Sequence, residues 1–189
     1  IAMEAYRKIV LAAFGEVEDG LVGYRRFTGQ RVVPDHRVQA LRQGLEVPGT
    51  WEDFLAVCAK LQAAGIQPSS TPGAPTIGWP ITRMIGAYNQ RLLGGDAMLK
   101  VAEGEAELTD PGYMEGAEAI ADLGAKGYFG DAVASQDYQA AQNQFMTGQS
   151  AIWFMGSWTV GEFNQPGNTI GNDNIGFFPF PSGRFRTMT

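Results

Sequence analysis

The chain has 189 residues, 44% of them hydrophobic and 18% charged, with a formal net charge of -6. That balance excludes wholesale disorder and suits one sizeable domain, or one domain with pieces of another. The acidic surplus argues against gripping a nucleic-acid backbone or an anionic membrane. A lone cysteine, Cys58, excludes an internal disulfide, and no apolar run is long enough to span a bilayer.

Taken in chain order, Ala2 to Phe14 reads as a short helix. Glu4, Arg7 and Lys8 within it rule out the apolar core of a signal peptide, so the start of an exported parent would lie upstream. Asp19-Gly20 marks a turn, and two β-leaning pieces follow at Leu21-Val22 and Arg31-Val32-Val33, interrupted by Arg25-Arg26. Next comes a strong helix signal. Thr50 suits an N-cap, Glu52 and Asp53 complement the helix dipole, and Trp51, Phe54, Leu55, Cys58 and Leu61 recur at helical spacing up to Gly65. Ile66 to Ser70 begins a strand, and Thr71-Pro72-Gly73-Ala74-Pro75 is a loop.

A second helix spans Pro80 to Leu93, closed by Gly94-Gly95. Asp110 and Pro111 start a third, with Met114, Ala117, Ala121 and Leu123 or Gly124 along its inner face. Another runs from Gln136 to Met146. Ala151-Ile152-Trp153-Phe154-Met155 is short and wholly apolar, the signature of a buried strand. Gly156-Ser157-Trp158 turns into a short helix, Gln165 to Asn168 is a loop, and Ile175 to Phe178 reads as a last strand. Helices alternating with short apolar strands define an α/β class, a sheet covered by helices. Its strands are few for the length, so the sheet is expected to be completed by chain outside this sequence.

The tools of catalysis are missing. His36 has no second histidine at metal spacing and Cys58 no cysteine partner, so no metal site is expected. There is no phosphate-cradling glycine loop, and Gly156-Ser157-Trp158 lacks the glycines of a nucleophile elbow. Glu103, Glu105 and Glu107 alternate in a polar stretch and read as solvated charge. The chain is therefore expected to be no enzyme and to carry no cofactor.

Aromatic residues are what remain. Trp79 lies between a Pro/Gly-rich loop and a helix start, and Trp158 follows Gly156-Ser157 just beyond a buried strand. Ligands of α/β sheets bind where strands end and helices begin. Sugars stack their CH-rich faces on such rings, while helix N-termini offer N–H donors to their hydroxyls. Trp51 and Trp153, on a helix face and within a strand, read as structural.

Several segments stand in a telling order: Gly44-Leu45-Glu46-Val47-Pro48-Gly49-Thr50-Trp51-Glu52-Asp53-Phe54, Lys60 to Ile66, Gly78-Trp79-Pro80, Leu108-Thr109-Asp110-Pro111, Phe145 to Ile152 running into Gly156-Ser157-Trp158, and Ile175 to Pro181. Together they resemble the family 1 extracellular solute-binding proteins, relatives of the maltose-binding protein. Asp19-Gly20 and Phe27 to Gln30 are similar to the family's first hinge approach. Asp35-His36-Arg37 departs from the Tyr-Asn-Lys strand end usual there.

The resemblance implies a periplasmic-binding-protein-like (type II) clamshell that closes on its ligand. This chain would supply mainly its second lobe: residues 1–31 ending the first lobe and approaching the hinge, 32–178 forming the second lobe, and 179–189 starting the return crossing. It further implies a monomeric, extracytoplasmic component, periplasmic or lipid-anchored, of an ABC importer. Such a protein would bind a mono- or oligosaccharide and deliver it to membrane permease subunits. Trp158 would stack on the ligand, Gly156 and Ser157 would supply hydrogen bonds, and Trp79 would form a second wall. Within the same fold, a glycerol phosphate (Arg83 being the nearest cation), a polyamine or a peptide are alternative ligands. A carbohydrate-active enzyme domain and an interaction module without a small ligand are the rivals from other classes.

Overall fold

The computed structural model describes residues 46–181. The expected helix at Ala2 to Phe14, the turn and β-leaning pieces up to Val33, Arg25, His36 and the hinge approach lie outside the described residues.

Helix α1 (Trp51–Ala63) is fixed at both ends by local chemistry. Thr50 Oγ1 accepts from the Asp53 amide at 3.1 Å, and Asp53 Oδ2 accepts from the Thr50 amide at 3.1 Å, a reciprocal capping box. At the far end Gly65 takes a left-handed φ of 74°, which lets the Ile66 amide return to the Leu61 carbonyl. Trp51, Phe54, Val57, Cys58 and Leu61 form the buried stripe. The chain then enters strand β1 (Gln67–Ser70).

Helices α2 (Trp79–Leu93), α3 (Ala97–Glu103), α4 (Pro111–Ala125) and α5 (Tyr138–Met146) follow before strand β2 (Ser150–Trp153). β2 pairs parallel with β1 in the register Gln67↔Ser150, Ser69↔Ile152, Ser70↔Trp153. Parallel neighbours need a long crossover, which these helices supply. A one-turn helix α6 (Thr159–Glu162) comes next, and a 3₁₀ turn at Asn172–Asn174. The main core joins the stripe of α1 to Met84, Ile120, Leu123, Tyr128, Phe129, Ala151 and Ile152. A smaller cluster unites Phe145, Met146 and Phe163 with Trp153, Ile170 and Ile175.

Helices α2 and α4 approach closely because Gly116 has no side chain. A Cβ there would stand 2.1 Å from Asn89 Oδ1. Asn89 Nδ2 donates to the Tyr113 carbonyl at 3.1 Å, and the Tyr113 hydroxyl donates to the Ala97 carbonyl at 2.8 Å, tying α3 to the pair.

Three details differ from the sequence reading. The inner face of α4 is Tyr113, Gly116, Ile120 and Leu123, whereas Met114 and Ala121 are exposed. Helix α3 was not expected. Ile175 to Phe178 forms no strand: no backbone ladder runs along it, and Phe178 packs by its side chain against the main core instead. No helix among the described residues is long and apolar enough to cross a membrane.

Candidate functional site

The two strands end side by side, at Ser70 and Trp153. The carboxyl ends of parallel strands leave a crevice where connecting segments diverge. The chain leaves β1 through residues 71–78 into α2. It leaves β2 through residues 154–158 into α6. Helix α5 runs back into β2 through a short turn, so its first residue lies at the same end. Each of these helices opens with an aromatic residue: Trp79 and Tyr138 are the first residues of α2 and α5, and Trp158 is the N-cap of α6.

Backbone bonds tie two of the openings to each other and close the third on itself. The amides of Gly73 and Ala74 both donate to the Gln136 carbonyl, at 3.0 and 3.1 Å, pinning the loop after β1 to the approach of α5. Only glycine fits at 73, where a Cβ would lie 2.6 Å from the Val133 carbonyl. Asp137 caps α5 by accepting from the Ala140 amide at 2.8 Å. Across the third opening, both the amide and the hydroxyl of Thr159 donate to the Gly156 carbonyl, and the Val160 amide donates to the Ser157 carbonyl.

The rings meet as a result. Trp79 lies 5.8 Å from Trp158, tilted by 57°, and 6.4 Å from Tyr138 in a stacked arrangement. Tyr138 sets its edge against Trp153 at 5.7 Å. Arg83, one turn along α2, holds its guanidinium 5.6 Å from the Trp79 ring, within cation–π range. Trp79 and Trp158 remain 37% and 44% exposed, enough to present indole surface to solvent.

Beneath the rings runs a polar chain. Trp158 Nε1 donates to the Tyr138 hydroxyl at 3.2 Å. That hydroxyl donates to Glu162 Oε2 at 3.3 Å, and Gln142 Nε2 donates to the same oxygen at 2.7 Å. Burial pushes the Tyr138 phenol above its ordinary range; the Trp158 bond pulls it back and the negative Glu162 raises it further, so the hydroxyl keeps its proton. No cluster of metal-ligating side chains occurs among the described residues.

The model of the bacterial extracellular solute-binding proteins matches residues 32–187. The chain belongs to that family. An uncharacterized ABC transporter extracellular-binding protein of Pyrococcus horikoshii is 28% identical over 142 residues, which is 74% of this chain and 31% of that protein. Among solved structures, a chitin oligosaccharide binding protein superposes with a TM-score of 0.72 at 30% identity, over 77% of this chain and 36% of its own. The solute receptor AcbH, described as exclusively preferring β-D-galactopyranose, superposes with a TM-score of 0.65 at 28% identity, over 77% and 36%. A protein from xylan utilization in Caldanaerobius polysaccharolyticus shares the fold, with a TM-score of 0.66 at 17% identity over 72% and 35%. The chain spans about a third of the length of these relatives. Its helix-covered sheet is accordingly part of a solute-binding-protein clamshell.

In this solute-binding protein, the residues singled out from sequence come together. Trp158 and Trp79 are neighbours, with Gly156 and Ser157 on the turn that carries Trp158. Ser157 is exposed. Gly156 does more than bond: the Trp158 indole lies against it. Trp79, expected as a second wall, has Tyr138, Trp158 and Arg83 around its ring and so buttresses Trp158. Sequence reasoning missed Tyr138, although the signal existed: an aromatic directly after a capping aspartate, at the start of a helix leading into a buried strand. Trp153 packs among Phe145 and Tyr138, as a structural residue does. Cys58 is fully buried.

Proposed function

We propose that this chain forms the ligand-gripping part of an extracytoplasmic solute-binding protein that captures a carbohydrate for an ABC importer. The observation that carries the reading is the exposed Trp158 indole, braced by Trp79 and Tyr138 where two parallel strands end. A pyranose ring has a CH-rich face that such an indole accepts, and its hydroxyls suit the exposed Ser157 and the polar turn beside it. The family supports the binding role, and the names of the chitin oligosaccharide binding protein and of AcbH support the sugar class.

On this reading residues 32–178 are the second lobe, 1–31 end the first and approach the hinge, and 179–189 begin the return crossing. The ligand is held between two lobes, and closure presents the complex to permease subunits at the outer face of the membrane, with the protein a monomer in the periplasm or lipid-anchored. It is a binder without turnover. A glycosidase needs two carboxylates flanking the sugar, whereas Glu162, the carboxylate bonded to the aromatic set, is engaged by Tyr138 and Gln142.

The test is a thermal-shift screen of the intact protein against chito-, galacto- and xylo-saccharides, with polyamines and glycerol phosphates as comparison. A ligand at about 100 times its Kd stabilises by about 2.7 kcal/mol. A rise in Tm confined to one sugar class supports the reading, and a rise with a polyamine or a phosphate instead overturns it.

A further inference from the structure

We propose that Glu162 is a positioning residue for Trp158: through the Tyr138 hydroxyl it fixes the plane of the indole, and thereby the surface a ligand ring meets. As a statement about affinity this rests on the carbohydrate reading. As a statement about the indole it stands alone.

An indole N–H can only donate, so the Tyr138 oxygen, 3.2 Å from Trp158 Nε1, must accept. Its own proton is then left to point elsewhere. Glu162 Oε2, 3.3 Å away, is the acceptor it meets. The chain therefore has one direction, from Trp158 through Tyr138 to Glu162. A second chain runs the same way: Gln139 Nε2 donates to Gln142 Oε1 at 3.0 Å, and Gln142 Nε2 donates to Glu162 Oε2 at 2.7 Å. Both chains end on one carboxylate oxygen, and a hydrogen bond to an ionised acceptor is roughly twice as strong as a neutral one.

The need for such a device follows from the backbone. Trp158 caps a helix of only 4 residues. Its ring rests on Gly156, which has no side chain to grip it. Stacking tolerates sliding and tilt, so the rings alone do not fix the angle. The N–H edge is the one polar handle on the indole, and Glu162 governs the group that holds it. Because Glu162 lies in α6 itself, the relay also ties the orientation of the ring to the seating of α6 against α5.

The test reads the Trp158 indole N–H directly, by 15N–1H correlation spectroscopy of the ligand-free intact protein, with the peak assigned by its loss in Trp158→Phe. Tyr138→Phe keeps the tyrosine ring and removes the hydroxyl. Glu162→Ala and Glu162→Met remove the acceptor, Met keeping the bulk should Ala not fold. Glu162→Gln keeps a carbonyl oxygen in place. The expected result is an upfield move of the Trp158 peak in Tyr138→Phe and in the Ala and Met variants, near-wild-type behaviour in Glu162→Gln, and no further move when Glu162→Met is added to Tyr138→Phe. An unmoved peak in Glu162→Met, or effects that simply add in the double variant, overturns the proposal and leaves Glu162 a tie between α5 and α6. Sugar affinity should fall about fivefold to tenfold in Glu162→Met, the scale of one lost hydrogen bond, and recover in Glu162→Gln. If the wild type binds no sugar, the carbohydrate reading fails while the peak positions still decide the relay.

Discussion

The indole of Trp158 lies against Gly156 so closely that a Cβ on the glycine would come within 2.0 Å of the ring. Gly156 is thus the shelf on which the ring rests, and an added methyl group must displace the ring. Since Trp158 is 44% exposed, it can swing outward without tearing the core. Gly156→Ala is therefore expected to change the near-UV circular dichroism and to weaken ligand binding by at least about tenfold, at a stability cost below about 1 kcal/mol, less than overpacking in a closed core. Unchanged near-UV spectra would show that the ring does not rest there.

The same substitution at Gly116 should behave in the opposite way. Its Cβ would meet Asn89 Oδ1 at 2.1 Å and the Ile85 carbonyl at 3.2 Å, between two packed helices. Asn89 is buried and held by its bond to the Tyr113 carbonyl, so it has little room to yield. Gly116→Ala should cost about 1–3 kcal/mol of stability, seen as a lower denaturation midpoint, with ligand affinity retained in the protein that remains folded.

Thr50→Ala removes the acceptor for the Asp53 amide at the start of α1. The loss should be about 1 kcal/mol, and Thr50→Ser should restore it. A denaturant titration of the three proteins at one temperature is sufficient.

How far the sequence reached depends on where the information sits. The ends of α1 and α2 are written locally: Thr50, Gly65, Pro80 and Gly94 each impose a backbone geometry on their own neighbours. The inner face of α4 is not. Alanines at 117, 119, 121 and 125 give the helix little contrast between faces. What chose Tyr113 and Gly116 was the close approach of α2, a tertiary fact. Helix α3 is hidden in the sequence because Asp96 at its N-cap and Lys100 and Glu103 in its last turn read as loop until Lys100 and Asp96 are seen paired at 2.9 Å. At the site, Trp79 and Trp158 were legible as aromatics out of place. Tyr138 carries a local signal, the capping Asp137 before it, but its role arises from α5 starting beside two segments distant in sequence. The strand expected at Ile175 to Phe178 failed because a short apolar run signals packing against the core, whereas a strand also needs a ladder partner.

Cys58 supplies a pH dependence. Burial pushes its thiol from 9.0 up to about 12. In the unfolded chain the thiol ionises first, so between these values the folded state holds more protons than the unfolded state. Stability from this group is full below pH 9 and is lost as pH rises toward 12. The denaturation midpoint of the wild type should therefore fall more steeply between about pH 9 and about pH 12 than that of Cys58→Ala. In native buffer a thiol reagent should leave Cys58 unlabelled, since the buried thiol is both neutral and enclosed.

On the proposed reading, Trp158 is the platform on which the ligand ring stacks. Isothermal titration of the intact wild type and of Trp158→Ala, with the sugar that raises the wild-type Tm and with a melting curve for each protein, tests it most directly. Saturable binding by the wild type is expected, with a loss of at least about a hundredfold in affinity for Trp158→Ala, about 2.7 kcal/mol, and the Tm of the ligand-free protein nearly unchanged. Equal affinities in the two proteins would contradict it and move the binding site away from the carboxyl ends of β1 and β2.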